Sequence, residues 1–401
     1  MPGPPSIDEQ VDAILLGAEF GDEQLAKSME NELRERLKEG RPLRVYVGYD
    51  PSSPDLHIGH TITMRKLKLF QDFGHDVTFL VGTFTAQVGD VSDKLEGRPR
   101  LAPERVRAAA ESYAEQAFKI LDRDKTNLVY NDEWLSKLGL ADVVELASAF
   151  TVQQFLARET FRKRMERGDA LRLHEFLYAL LQGYDAYHLK ADVQMGATEQ
   201  LFNILAGRRL QELHGEKGSI AITFPVLVGT DGKARMSKST GNYVGIAEPP
   251  AEQFGKVMSI DDDTMRQWIP LVSSWSPTEV RDKLSKLDNK ALHPMDLKKQ
   301  LAADIVTMYH GAAEAEAAQE RFEALHQRRD ADEAAEPLET SSPAVIDVLT
   351  NTGNSKREAK RLLEQGAVRV NGDPIQDETH QLADGDVLKV GKRKVYRITL
   401  V

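Results

Sequence analysis

Apolar and polar positions alternate around residue 45. Leu43, Val45 and Val47 share one parity and Arg44, Tyr46 and Gly48 the other, which is the period of a β-strand. A loop containing Pro51 and Pro54 follows, and then Ile58, Ile62, Leu69 and Phe73 recur at helical spacing up to Gly74. Residues 76–81, Asp-Val-Thr-Phe-Leu-Val, read as a second strand. Strand, helix and strand in this order predict a β-α-β unit. That implies a parallel sheet with a right-handed crossover, and ligands at the carboxyl ends of its strands. Helical spacing fills about 101–122 and 142–190, and a short strand is expected at Ile220–Phe224. Residues 250–328 are helical again, with Leu301, Ile305 and Met308 on one face, and read as a separate helical domain.

Both ends depart from this middle. Residues 1–40 hold ten acidic and four basic residues, with Leu15, Leu16, Leu25, Met29, Leu33 and Leu37 at helical spacing. They read as a solvated helical lead-in. Residues 330–343 carry five acids, two prolines and Leu338 as the one bulky apolar residue, and read as an acidic linker. The tail, 344–401, shows a helix through Ser355–Arg361 ending at Gly366, strand positions Val368 and Val370, an Asn371-Gly372 turn, and a last strand pair about Gly391-Lys392.

Composition narrows the classes. A chain of 401 residues has room for two or three domains. Zero cysteine excludes disulfides, thiolate zinc sites and a cysteine nucleophile. The 10 histidines show no paired metal spacing, so no protein-ligated metal is expected. The first residues lack a basic and an apolar region of the secretory kind, and no run approaches 18 apolar residues, so a cytoplasmic protein without a membrane span is expected. A net charge of −11 argues against a protein that coats nucleic acid, yet leaves room for a local basic site. Residues 342–401 supply one, with ten basic against eight acidic residues.

Two segments carry chemistry. Asp55-Leu56-His57-Ile58-Gly59-His60 follows a strand and opens a helix. A helix start offers free N–H groups and a positive dipole end to an anion. His57 and His60, three apart, share a helix face and can donate to phosphate oxygens, while Gly59 leaves space for a flat base or ribose. The second segment, Asp231-Gly232-Lys233-Ala234-Arg235-Met236-Ser237-Lys238-Ser239-Thr240-Gly241, sets three cations and hydroxyls between glycines, which suits a clamp on triphosphate.

In this order the two segments resemble the signature pair of class I aminoacyl-tRNA synthetases, HIGH and KMSKS, the second read here as RMSKS. The flanks narrow the likeness. Tyr46-Val47-Gly48-Tyr49-Asp50-Pro51, then Tyr178, Gln182 and Asp185, then Gln194-Met195-Gly196 with Glu199-Gln200, resemble the bacterial tyrosyl-tRNA synthetases from about residue 40 to the end of the chain. The resemblance implies an α/β architecture in four parts: a Rossmann-like parallel-sheet catalytic domain over 1–245, with the lead-in and the connective and dimerisation helices; an α-helical anticodon-binding domain over 246–329; the linker 330–343; and a small α+β RNA-binding domain of the ribosomal protein S-four type over 344–401.

It also implies the activity, tyrosine activation by ATP and transfer to tRNA(Tyr), and the site residues. A phenol is both donor and acceptor, and Tyr46 and Asp185 would pair with it and be left unpaired by phenylalanine. Asp90, Tyr178 and Gln182 would hold the α-ammonium, with Gln194 and Gln200 beside the amino acid and its carboxylate. Gly48, Asp50, Gly196 and Glu199 would receive adenosine; His57, Gly59, His60, Arg235, Met236, Ser237, Lys238 and Ser239 would meet the rest of ATP. The transition state would be served by Ser52, His57, His60, Lys94, Arg98, Arg235 and Lys238, with Mg2+ arriving on ATP. Glu199 stands where the family commonly has aspartate, and Arg235 where the signature has its first lysine. Lys356, Arg357, Lys360 and Arg361 would meet tRNA phosphates, and a homodimer is expected. The basic segment Arg158–Arg167 is open between a solvated helix face and an RNA or dimer contact. Trp134, Trp268 and Trp275 read as packing residues, and Asp261-Asp262-Asp263 as a helix start.

Overall fold

The computed structural model describes residues 5–51, 56–90, 92, 103–326, 335–391 and 394–401. The chain divides into two compact units, one of 1–248 with 259–301, the other of 249–258 with 302–401. The helical block over 246–329 is thus shared between them.

In the first unit five strands form one sheet: β1 (Arg44–Tyr49), β2 (Asp76–Val81), β3 (Thr126–Tyr130), β4 (Val193–Ala197) and β5 (Ile220–Phe224). Their order is β3-β2-β1-β4-β5, and every pairing is parallel. The helix Ile58–Asp72 makes the crossover from β1 to β2, as the spacing implied. Strand order reverses between β1 and β4, and in such sheets the crevice at the reversal takes the ligand.

The strands β3 and β4 were not visible as alternation. Central β4 buries Gln194 along with Val193 and Met195, as β1 buries Tyr46 along with Val45 and Val47, so polarity does not mark a face there. β3 is an edge strand with no buried residue, and its Leu-Val-Tyr run does not alternate. The helical stretch 142–190 is built of four helices, Leu140–Ser148, Val152–Leu156, Glu159–Glu166 and Leu173–His188. Capping residues such as Thr151, whose side chain accepts from the Gln154 N–H, restart the chain between them.

The lead-in is not a solvated appendage. Its helix Glu23–Lys38 buries Met29, Leu33, Leu37 and Arg36. The Arg36 guanidinium donates to Asp192 at 2.8 Å, just before β4. Asp192 also accepts from Arg41 at 2.7 and 2.8 Å and from the Arg44 N–H at 2.9 Å. Burial raises this carboxyl, but the arginines and the backbone N–H outweigh burial and hold it down at about 2. Helix, β1 and β4 are tied at one point.

In the second unit β6 (Glu336–Thr340), β7 (Val368–Val370), β8 (Asp373–Pro374), β9 (Val387–Val390) and β10 (Lys394–Leu400) form a sheet of order β6-β10-β9-β7-β8. This corrects the linker reading. Glu336–Thr340 pairs with β10 in parallel, and Leu338 packs against a core that includes Val348, Leu363 and Leu388. Backbone pairing holds an acidic edge strand that composition alone marks as loop. Residues 327–334 lie outside the described residues. The turn at Asn371-Gly372 has positive φ at both positions, 52° and 94°, as a two-residue hairpin requires.

Candidate active site

A cavity of about 430 Å3 lies at the carboxyl ends of β1 and β4. Its wall joins the strand ends (Tyr46, Gly48, Asp50, Gly196, Glu199, Gln200), the helix start (His57, Gly59, His60), the helix Leu173–His188 (Tyr178, Gln182, Asp185), Asp90, and the loop residues Arg235, Met236, Ser237 and Lys238. Most residues expected from the sequence therefore meet at one place. Two do not. Ser239 is exposed on the loop. Gln194 turns under the wall, where its Oε1 is 3.1 Å from the place a Cβ on Gly207 would occupy. Ser52, Lys94 and Arg98 lie outside the described residues, as does Asp55.

One end of the cavity is suited to a phenol. Tyr46 is 2% exposed, and its hydroxyl has no hydrogen-bond partner among the described residues. Burial and the nearby Asp185 push this phenol well above 10. Asp185 is also buried, and burial raises its carboxyl to about 8 although Asn131 and Trp134 pull it down. Trp134 Nε1 donates to one oxygen at 2.8 Å and Asn131 Nδ2 to the other at 3.1 Å. Asn131 cannot flip freely, since its Oδ1 accepts from the Phe84 N–H at 2.8 Å. Reading Trp134 as mere packing missed this role, and Asn131 was missed altogether. Both directly follow β3, so recognising that strand would have placed them at the carboxyl edge of the sheet.

Beside it lies an anionic corner. Asp90 accepts from the Ser92 N–H at 2.9 Å, from the Ser92 hydroxyl at 2.7 Å, and from Gln200 at 2.5 Å on its other oxygen. Asn203, also unforeseen, donates to the side-chain carbonyls of Gln182 and Gln200 at 3.1 and 3.0 Å. The Tyr178 hydroxyl donates to Asp50 at 2.9 Å, and Thr85 donates to the other oxygen of Asp50 at 2.7 Å. Gly82 makes that contact possible, because a Cβ there would fall 2.0 Å from Asp50 Oδ1.

The other end is suited to phosphate. The His57 and His60 rings stack with centroids 3.7 Å apart. The His57 N–H donates to His60 Nδ1 at 3.2 Å, which leaves the ring proton of a neutral His60 on Nε2. Burial, then His60 and Lys238, lower His57 to about 3; burial, then Lys238, lower His60 to about 4. Both rings are neutral donors at pH 7. Backbone bonds tie the first signature segment to the chain just after the second: Ile58 N–H to Val244 O at 2.9 Å and Ile246 N–H to Leu56 O at 3.2 Å. Asn242 organises the loop, accepting from the Ser237 N–H at 2.8 Å and donating to Asp231 at 3.0 Å. Arg235 and Glu199, two of the departures from the family pattern, lie 4.0 Å apart.

The basic segment Arg158–Arg167 is divided. Arg164 is buried in a pair with Glu175 at 2.5 Å, Arg158 is half-buried, and Arg162, Lys163 and Arg167 are exposed. In the second unit the helix Lys356–Glu364 is capped by Ser355 and buries Ala359 and Leu363. Lys356, Arg357, Lys360 and Arg361 stand exposed away from them, with Lys360 paired to Glu378 and Arg361 to Glu358, each at 2.5 Å. Among the described residues no cluster of three metal-binding side chains occurs, and no helix is long and apolar enough to cross a membrane.

A reversal crevice in a parallel sheet, with stacked helix-start histidines and an Arg-Met-Ser-Lys-Ser loop on one cavity, defines a class I aminoacyl-tRNA synthetase core. The chain belongs to the family of tRNA synthetases class I (W and Y), whose model matches residues 38–327, and an S4 domain matches residues 351–388. It is 42% identical over 399 residues to a tyrosine–tRNA ligase of Oleidesulfovibrio alaskensis, covering 98% of this chain and 99% of that one. A tyrosine–tRNA ligase of Thermotoga maritima is 44% identical over 375 residues, covering 92% and 94%. In fold the chain is similar to a tyrosyl-tRNA synthetase of Archaeoglobus fulgidus solved with L-tyrosine, with a TM-score of 0.61, 22% identity, and 79% and 100% coverage. A C-terminally truncated mitochondrial tyrosyl-tRNA synthetase of Aspergillus nidulans gives a TM-score of 0.63 at 22% identity, covering 80% and 93%.

Proposed function

We propose that this chain is a tyrosine–tRNA ligase. The tyrosine carboxylate attacks the α-phosphate of ATP, pyrophosphate leaves, and a ribose hydroxyl of the terminal adenosine of tRNA(Tyr) then takes the tyrosyl group from the adenylate. One observation carries the specificity: Tyr46 and Asp185 are buried side by side at one end of a cavity whose other end carries the neutral histidines and the Lys238 loop. A phenol satisfies both groups, and a phenyl ring satisfies neither.

The chemistry needs no enzyme nucleophile. His57 and His60 donate to phosphate oxygens as neutral imidazoles, and Arg235 and Lys238 carry charge to the departing pyrophosphate; Ser52, Lys94 and Arg98 are assigned to the same end. Mg2+ enters on ATP as part of the substrate, held mainly by phosphate oxygens. Asp90, Tyr178 and Gln182 face the α-ammonium, with Gln194 and Gln200 nearby; Gly48, Asp50, Gly59, Gly196 and Glu199 take the adenosine, and Met236, Ser237 and Ser239 complete the nucleotide side. The segment 246–329 serves the anticodon side and 344–401 grips RNA through Lys356, Arg357, Lys360 and Arg361. The protein acts as a cytoplasmic homodimer. The test is charging of bacterial tRNA by the purified chain with labelled tyrosine. Acid-labile tyrosyl-tRNA is the expected product; its absence, with tRNA still bound, would replace this reading by that of a non-catalytic RNA-binding relative.

A further inference from the structure

We infer that Arg158 is a positioning residue for the amino-acid site, acting on Asp90 through the hydroxyl of Ser92. The inference rests on the tyrosine reading above and adds to it a residue outside the cavity wall.

The geometry is a relay with a fixed proton direction. Arg158 Nη2 donates to Ser92 Oγ at 2.6 Å, and Asn203 Nδ2 donates to the same oxygen at 3.1 Å. A serine hydroxyl has two acceptor lone pairs and one proton. Neither nitrogen can accept. The Asn203 amide shares its two protons among Ser92, Gln182 and Gln200, so Arg158 is the firmer donor to Ser92 Oγ, and the hydroxyl proton is left one partner, Asp90 Oδ1, at 2.7 Å. That oxygen also receives the Ser92 N–H at 2.9 Å, while Oδ2 takes Gln200 at 2.5 Å. The carboxylate is thereby held at three points and keeps the rest of its lone pairs for an incoming ammonium. Arg158 is itself held. Its guanidinium lies over the Phe202 ring at 4.7 Å and the Phe161 ring at 5.2 Å. The aromatic seat explains why a basic residue at the start of a helix turns inward instead of joining the exposed Arg162 and Lys163.

Without Arg158 a lone pair of Ser92 Oγ is vacated, the hydroxyl is less firmly turned toward Asp90, and the carboxylate loses part of its aim. The loss falls on ligands that carry an ammonium and spares those that do not. The experiment measures equilibrium binding of three ligands to wild type, Arg158→Gln, Arg158→Lys, Ser92→Ala and Arg158→Gln/Ser92→Ala: L-tyrosine; tyrosinol, with ammonium but no carboxylate; and 3-(4-hydroxyphenyl)propionate, with carboxylate but no ammonium. The expected result is about a tenfold loss for tyrosine and tyrosinol in Arg158→Gln and in Ser92→Ala, no further loss in the double variant, partial recovery in Arg158→Lys, and a change under about twofold for the propionate throughout. Equal losses for all three ligands would mean a merely structural role, and a loss confined to tyrosine and the propionate would make Arg158 a carboxylate anchor; either overturns the relay, as does unchanged binding. Wild type that binds none of the three overturns the tyrosine reading itself, and the relay with it.

Discussion

Asp185→Asn exchanges one oxygen for an amide, a change of almost no volume, yet the surroundings of Asp185 make it costly. The two carboxyl oxygens accept from different donors, Trp134 Nε1 at 2.8 Å and Asn131 Nδ2 at 3.1 Å. An asparagine offers one oxygen, so in either orientation its NH2 faces an N–H. Asn131 cannot turn to accept, because its own oxygen holds the Phe84 N–H and its nitrogen also donates to Thr85 at 3.0 Å. One buried donor is left unpaired, a loss of about 1–3 kcal/mol in stability. The phenol of tyrosine exchanges a carboxyl partner for a weaker or wrongly disposed amide. At about 8 the carboxyl is largely uncharged at pH 7, where a hydrogen bond contributes about 0.5–1.5 kcal/mol, so kcat/KM for tyrosine should fall roughly 2- to 12-fold. Phenylalanine, which lacks the hydroxyl, should lose far less, and the preference for tyrosine should shrink by nearly the same factor. Tyrosine- and phenylalanine-driven ATP–pyrophosphate exchange measures both terms. An unchanged tyrosine-to-phenylalanine ratio in a folded variant would refute the reasoning.

The remaining predictions concern titration, the anchoring of the sheet and RNA. With folded values of about 3 and 4, below the ordinary histidine range, His57 and His60 stabilise the fold above about pH 6.5 and lose that contribution as pH falls toward 3. Their ring resonances, assigned through His57→Gln and His60→Gln, should stay at the neutral position from pH 8 to about pH 5. Asp192→Asn should destabilise the first unit by on the order of 2 kcal/mol in urea melts, less than for a fully buried pair because Arg41 and Arg44 remain partly in water. The wild-type contribution of this carboxylate is present above pH 4 and lost as pH falls through about 2, and the variant should lack that acid limb. Arg357→Ala should weaken tRNA binding across sequences and reduce the slope of log K against log salt by about 0.7 to 0.9 in filter-binding titrations.

The sequence disclosed those parts of the protein whose chemistry is local. The strand at 43–48, the helix that ends at Gly74 and the Asn371-Gly372 hairpin were legible because alternation, helical spacing and turn residues act over a few positions. β3 and β4 were not: β4 buries Gln194 along with Val193 and Met195, so polarity does not mark a face there, and β3, an edge strand with no buried residue, carries a Leu-Val-Tyr run without alternation. That omission hid Asn131 and Trp134, whose importance comes from where the chain emerges after β3. Asn203 and Arg158 were hidden for another reason: their partners, Ser92 and Gln182, are distant in the chain, and no spacing rule joins them. The acidic stretch at 336–340 misled in the opposite direction, since its strand exists through pairing with β10 rather than through any propensity of its own.

The most direct test of the proposed activity is ATP–pyrophosphate exchange by the purified protein, driven in turn by tyrosine, tryptophan, phenylalanine and no amino acid. Exchange with tyrosine and near-background signal with the other three is the expected result. Exchange driven by tryptophan would leave the family right and the pocket assignment to Tyr46 and Asp185 wrong, and no exchange with any amino acid would contradict catalysis altogether.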